Sequence, residues 1–94
     1  MKITGLIWFH EIVDKLYSKH RVEKAEVREA LDRKPHFQFV ERGHHEGENV
    51  YAALGRTEAG RYLTVFFVHK LDGRALIISA RDMTKTERKK YERK

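Results

Sequence analysis

Apolar and polar residues alternate with two different periods along this 94-residue chain. In the N-terminal third, apolar residues recur at the spacing of one face of an α-helix. This pattern predicts two helices, the first built on Ile12, Val13, Leu16 and Tyr17 and the second on Val22, Val27, Ala30 and Leu31. Pro35 would end the second helix, because the residue before a proline avoids helical backbone angles.

The other segments either show the two-residue period of β-strands or are apolar on both faces. They predict strands at Ile3–Trp8, Phe37–Val40, Val50–Arg56, Tyr62–His69 and Ala75–Arg81. Turns rich in glycine and polar residues separate the last four strands, which favours an antiparallel meander. The predicted fold class is therefore α+β, in one domain of residues 1–94: an N-terminal strand, two helices, a four-stranded antiparallel meander and a C-terminal helix.

The last third of the chain combines a strand end with a charged helix. In the strand Ala75–Arg81, strict alternation places Leu76, Ile78 and Ala80 on one face and Ile77, Ser79 and Arg81 on the other. Thr84 and Glu87 form the pattern of a capping box, in which each side chain binds the backbone N–H of the other residue. The sequence thus predicts that Ser79 and Arg81 leave the core together, beside a helix rich in Lys and Arg.

The charge balance points to a partner. The chain holds 20 Lys and Arg against 14 Asp and Glu, which gives a net charge of +6 and a pI near 9.7. Such an excess attracts phosphate backbones and favours contact with nucleic acid. The absence of cysteine excludes disulfides and suits a reducing compartment. The first apolar run is too short for a signal peptide or a membrane span, so we expect a cytoplasmic protein that does not enter a membrane.

Two arginines are candidates for phosphate chemistry. Metal-free RNA cleavage needs a base for the 2′-hydroxyl, cations for the charge on the phosphorus and an acid for the leaving oxygen. Arginine suits the second task, since its planar fork matches two phosphate oxygens. Arg56 and Arg81 each end a strand beside a small residue, Gly55 or Ala80, where the backbone would approach a ligand. If their strands are neighbours, both would reach one phosphate; the alternative is that both are solvated charges.

Histidines and one tyrosine are further candidates. His20 follows Lys19 at the end of the first helix, where it is either a base or a cation favoured by the helix dipole. The run His44–Glu46 has the chemistry of metal ligands, but adjacent residues of a glycine-containing turn rarely bind one ion, so no metal site is expected. Tyr91, among basic residues of the last helix, would anchor that helix or stack on an RNA base.

The segment Ile77–Glu92 (IISARDMTKTERKKYE) resembles the BrnT family of bacterial toxins, the ribonucleases of type II toxin–antitoxin pairs with a RelE-like fold. The likeness extends over nearly the whole chain. The other matching positions are Trp8 at the end of the first strand, Lys19-His20, Val22–Ala25, Gly55–Thr57 and Gly60-Arg61. The closing segment is the most specific of these, because many of its positions agree at fixed spacing.

The resemblance implies an endoribonuclease that cleaves RNA without a metal or other cofactor and is neutralised by a cognate, BrnA-like ribbon-helix-helix antitoxin. Toxin and antitoxin would form a hetero-oligomer that binds operator DNA through the antitoxin. Carried over to this chain, the catalytic set would be the phosphate-binding Arg56 and Arg81 with Lys19 and His20 as a supporting basic pair. The further expected RNA contacts are Arg61, Ser79, Arg88, Lys89 and Tyr91.

The chain also departs from the family pattern. Phe9 and His10 stand where acidic residues usually follow the first strand, and Arg21 replaces the glycine that usually follows the Lys-His pair. Glycine would relax a left-handed helix end, so Arg21 predicts either a different joint or strain. Two other functions fit the basic charge: a non-catalytic nucleic-acid-binding or co-repressor module, and a scaffold for an acidic partner helix.

Overall fold

The computed structural model describes residues 1–93 and leaves Lys94 outside. Along this part of the chain, strands and helices follow one another in the predicted order. Their bounds are β1 (Gly5–Ile7), α1 (His10–His20), α2 (Lys24–Asp32), β2 (His36–Glu41), β3 (Val50–Arg56), β4 (Tyr62–His69), β5 (Arg74–Asp82) and α3 (Lys85–Arg93). The prediction of an α+β fold is confirmed.

The strands form a mixed sheet in the order β1-β5-β4-β3-β2. Strands β2 to β5 are consecutive antiparallel neighbours, and β1 adds to β5 in parallel. The prediction of a four-stranded antiparallel meander was therefore incomplete, because the N-terminal strand joins the same sheet. Strand β1 is also shorter than predicted, since only Gly5, Leu6 and Ile7 pair with β5. Alternation marks a segment as a strand, but it does not identify a partner almost 70 residues away.

Helices α1 and α2 cover one face of the sheet, which we call the inner face, and the core lies between them. Buried apolar side chains of both helices contact strand residues that point to the same side. This core consists of Leu16, Val22, Val27, Ala30, Ala53, Leu63, Val65, Phe67, Ala75, Ile77 and Ala80. At Gly55 the sheet and α2 are so close that an added Cβ would lie 2.4 Å from the backbone oxygen of Ala30. Glycine is thus required for this contact between backbones.

A β-bulge at Ile78 changes the alternation along β5. Ile77 pairs with Phe67 and Ser79 pairs with Phe66, so Ile78 has no counterpart in β4. Ile77 and Ala80 are consequently both buried on the inner face, whereas Ser79 and Arg81 point to the opposite face. The prediction that Ser79 and Arg81 share a face is confirmed. The predicted placement of Ile77 beside them, and of Ala80 opposite Ile77, was wrong because strict alternation assumes no inserted residue.

Candidate functional site

The sheet face opposite α1 and α2, which we call the outer face, carries both candidate arginines. Arg56 in β3 pairs with Tyr62, and Arg81 in β5 pairs with Thr64, so the two arginines flank β4 near the same end of the sheet. A strand spacing of about 4.8 Å and a rise of about 3.3 Å per residue put their Cα atoms about 12 Å apart. Arginine side chains that leave one face at this separation have the reach to contact one anion.

Arg81 is paired within the protein. Its Nη1 and Nη2 donate hydrogen bonds of 2.7 and 2.9 Å to the two carboxylate oxygens of Glu87 in α3. Glu87 also accepts a bond of 2.9 Å from the hydroxyl of Thr64. The Arg81 guanidinium, together with smaller contributions from the Thr84 N–H and Thr64, lowers the pKa of Glu87 from 4.5 to about 2. A phosphate that binds Arg81 must therefore compete with a carboxylate already in place.

The start of α3 is fixed by the predicted capping box. The Thr84 backbone N–H donates to Glu87 Oε1 at 2.9 Å, and the Glu87 N–H donates to Thr84 Oγ1 at 3.1 Å. This prediction is confirmed. No residue of α3 is buried within the described part of the chain, so polar and aromatic contacts to the outer face hold this helix. Glu87 is central to them, because the same carboxylate caps the helix and binds the sheet.

Arg56 and Arg88 both lie against the ring of Tyr62. The guanidinium carbon of Arg88 is 4.0 Å from the ring centroid, and that of Arg56 is 5.0 Å from it. Tyr91 of α3 contacts the same ring edge to face, with centroids 5.9 Å apart. Sequence reasoning missed Tyr62 as a site residue. Counting the hairpin register from the turn at residues 57–61 would have placed it opposite Arg56.

Arg61 binds three parts of the chain: the end of α1, the first turn of α2 and the end of β5. Its Nε and Nη2 donate to the Asp82 carboxylate at 2.7 and 3.2 Å, and its Nη1 donates to Glu26 at 3.2 Å. Nη1 and Nη2 also donate to the carbonyl oxygens of Arg21 at 2.7 Å and His20 at 2.9 Å. These bonds engage all five N–H groups of a guanidinium. Its predicted contact with RNA would require one of these partners to be released.

The end of α1 keeps a left-handed turn although arginine replaces glycine there. Arg21 has φ 53° and ψ 40°, and the N–H groups of Arg21 and Val22 donate to the carbonyl oxygens of Tyr17 and Leu16. This is the Schellman pattern, in which glycine is the usual residue. The sequence predicted either a different joint after α1 or strain at Arg21. The structure keeps the left-handed joint, so Arg21 adopts the strained backbone conformation. The guanidinium lies 5.1 Å from the Tyr17 ring centroid.

The other predicted residues are distributed over both faces. Lys19 and His20 belong to the last turn of α1, on the inner side of the sheet, whereas Arg56 and Arg81 lie on the outer face. Ser79 is half-buried on the outer face opposite Phe66, and Lys89 is exposed on α3. The small residues beside the arginines do not face a ligand: Gly55 meets α2, and Ala80 is buried in the core. That expectation was wrong because both residues point inward.

No group of three or more His, Asp or Glu side chains within residues 1–93 is arranged to hold a metal ion. No helix in the same region combines the length and apolar character needed to cross a bilayer.

These features define a class of protein: a small basic α+β domain whose arginine and tyrosine side chains are grouped on one sheet face. A family model described as the ribonuclease toxin, BrnT, of type II toxin–antitoxin systems matches residues 8–87. This match covers most of the chain, and the chain belongs to that family. Membership indicates a ribonuclease toxin with an RNA target and an antitoxin partner. No individual curated protein matches the sequence.

Proposed function

We propose that this protein is a RelE-like endoribonuclease toxin that cleaves RNA without a metal ion to arrest growth. Arg56 and Arg81 stabilise the negative charge that develops on the scissile phosphate. The observation that supports this assignment is the position of both arginines on the outer face, on either side of β4 and near one end of the sheet. Fixed guanidinium groups near a developing charge lower the barrier without a Lewis acid.

Arg81 acts in this proposal only after it exchanges partners. In the free protein its charge is balanced by Glu87, at distances of 2.7 and 2.9 Å. A phosphate carries the same charge as the carboxylate and also matches the arginine fork, so it can replace Glu87 as the acceptor. RNA binding would then weaken one attachment of α3 to the sheet. Arg56 needs no such exchange, because its described polar contact is a 3.4 Å bond to the Gly60 oxygen.

The remaining predicted residues keep supporting roles in the proposal. Ser79 would contact the RNA backbone on the outer face, with Lys89 and Tyr91 contributing charge and base stacking from α3. Lys19 and His20 end α1 on the inner side of the sheet, where Arg61 links the His20 carbonyl oxygen to Asp82, and from that end of the sheet they would form a basic pair at the edge of the site.

The partner that neutralises the toxin is, in this proposal, a BrnA-like ribbon-helix-helix protein. The hetero-oligomer of toxin and antitoxin would bind operator DNA through the antitoxin. The net charge of +6 on this chain supports a partner segment with acidic residues, since association with a basic chain would be opposed.

The test is RNA cleavage by purified protein with and without EDTA. We expect cleavage in both conditions, and loss of cleavage and of growth arrest in Arg56→Ala and Arg81→Ala. Arg74→Ala is the matched control, because it removes an exposed β5 arginine that pairs locally with Asp72. Salt-sensitive binding with intact RNA would instead support the co-repressor module, and unchanged cleavage in both site variants would refute the mechanism.

A further inference from the structure

Arg56 and Arg88 form a second basic pair on the outer face. No described carboxylate binds either of them as closely as Glu87 binds Arg81. Arg56 and Arg88 lie against one tyrosine ring, and their distances to the Tyr62 centroid add up to about 9 Å, which is the largest possible separation of the two guanidinium carbons. They come from β3 and α3, two elements that are distant along the chain. The fold therefore brings two positive charges to the same ring.

The described ion pairs balance the charge of Arg56 and Arg88 only weakly. Within the described residues, the carboxylate partner of Arg88 is Glu92 at 3.7 Å, and both side chains are more than half exposed. Such a pair is weak in water. Arg56 has no ion pair in the same region, and its Nε donates to the Gly60 oxygen at 3.4 Å. Two guanidinium groups against one ring, whose described ionic partner is the exposed Glu92, favour the binding of an anion.

Tyr62 accounts for the proximity of the two charges. The face of an aromatic ring attracts cations, so one ring can hold two guanidinium groups that would otherwise repel each other. Tyr91 contacts Tyr62 edge to face, with an angle of 82° between the ring planes, and this contact limits the rotation of the Tyr62 ring. Tyr62 thus acts on the arginines and needs no contact with the ligand.

We propose that Arg56 and Arg88 bind one RNA phosphate beside the ring of Tyr62, and that Tyr62 is the positioning residue of this site. The identity of the anion rests on the proposed ribonuclease function, since the geometry alone selects a phosphate or a similar oxyanion. Arg56 is shared with the proposed catalytic pair, so the phosphate bound here would be the scissile one, and Arg81 would reach it only after release from Glu87. Arg88 gains a defined role, and Tyr62 becomes a determinant of RNA affinity.

The experiment measures binding of a fluorescein-labelled, fully 2′-O-methylated RNA oligonucleotide, which lacks the hydroxyl nucleophile and cannot be cleaved through it. Anisotropy titrations at several salt concentrations compare Arg88→Ala and Arg88→Gln with Lys90→Ala. Lys90 is the matched control, because it has the same charge on the same exposed helix but no described contact with Tyr62. We expect the Arg88 variants to weaken binding about tenfold or more and Lys90→Ala less than about threefold, with the salt slope reduced by about one for Arg88.

The role of Tyr62 is tested by a double-mutant cycle. Tyr62→Phe keeps the ring and should bind like the wild type, whereas in a Tyr62→Leu background Arg88→Ala should have less than about a third of its effect in the wild type. A purely structural tyrosine would leave the effect of Arg88→Ala unchanged, and that result would overturn the positioning role. Circular dichroism establishes that each variant is folded.

The site and the proposed function can fail separately. If the Arg88 variants bind no more weakly than Lys90→Ala while the wild type cleaves unmodified RNA, the phosphate site is refuted and the ribonuclease stands. If the Arg88 effect is present and the wild type cleaves no RNA with or without EDTA, the site stands and the ribonuclease is refuted.

Discussion

Replacing Glu87 by Gln removes one negative charge from the attachment of α3 and changes little else. The side chains have the same length, and the Gln carbonyl oxygen can still accept the bond from the Thr84 N–H. The capping box therefore survives, while Arg81 loses its counter-charge. We expect a large loss of stability at neutral pH, because a guanidinium with only 33% of its side chain exposed then lacks an ionic partner.

The magnitude follows from the pKa of Glu87. Its fall from 4.5 to about 2 corresponds to about 3.5 kcal/mol, at about 1.4 kcal/mol per unit. Because the Arg81 side chain is one-third exposed, water screens part of this interaction, and we expect a loss of about 2 kcal/mol in Glu87→Gln. The pKa of the folded state is the lower one. The stabilisation is therefore complete above pH 4.5 and is lost as the pH falls to about 2.

Urea denaturation followed by circular dichroism measures this difference at pH 7, 4.5 and 2.5. The matched control is Glu92→Gln, which removes the same charge from the same helix but breaks an exposed pair at 3.7 Å. We expect the control to lose less than about 0.5 kcal/mol. The reasoning is refuted if Glu87→Gln equals Glu92→Gln at pH 7, or if the loss in Glu87→Gln is as large at pH 2.5 as at pH 7.

Two further predictions concern backbone geometry, and both are measured as free energies of unfolding. Gly55→Ala should destabilise the protein by about 2–3 kcal/mol, since its Cβ would lie 2.4 Å from the Ala30 oxygen; in the control Gly5→Ala the nearest atom is 3.6 Å away, and stability should not fall. Arg21→Gly should stabilise by about 0.5 kcal/mol, because relief of the left-handed strain exceeds the lost contact with Tyr17, whereas Arg21→Ala should destabilise. Equal stability of the two Arg21 variants would contradict this account.

Local patterns predicted the elements and the cap of α3 from the sequence. The spacing of Thr84 and Glu87 describes contacts within one helical turn, and both bonds are present. The position of Arg56 at a strand end followed from alternation in the same way. Both predictions depend only on residues that lie within a few positions of each other in the sequence.

The contacts of charged groups could not be predicted from such patterns. Arg61 binds Asp82, Glu26 and two carbonyl oxygens that lie between 21 and 41 positions away in the sequence. The composition does not distinguish Arg61 from the other Lys and Arg residues, of which the chain has 20 in all. The pairing of Arg81 with Glu87 also depends on α3 folding back over β5, a tertiary arrangement that no period in the sequence describes.

The bulge at Ile78 determines that the side chains of Ser79 and Arg81 lie on the outer face. If β5 kept all its residues but paired with β4 without the bulge, a uniform pleat would turn the Arg81 guanidinium toward the apolar layer beneath the helices and place Ala80 on the outer face instead. A related sequence with one residue fewer at this point would pair without a bulge and keep Arg81 on the outer face. In this strand the pairing register therefore decides which residues the outer face presents, in addition to their identities.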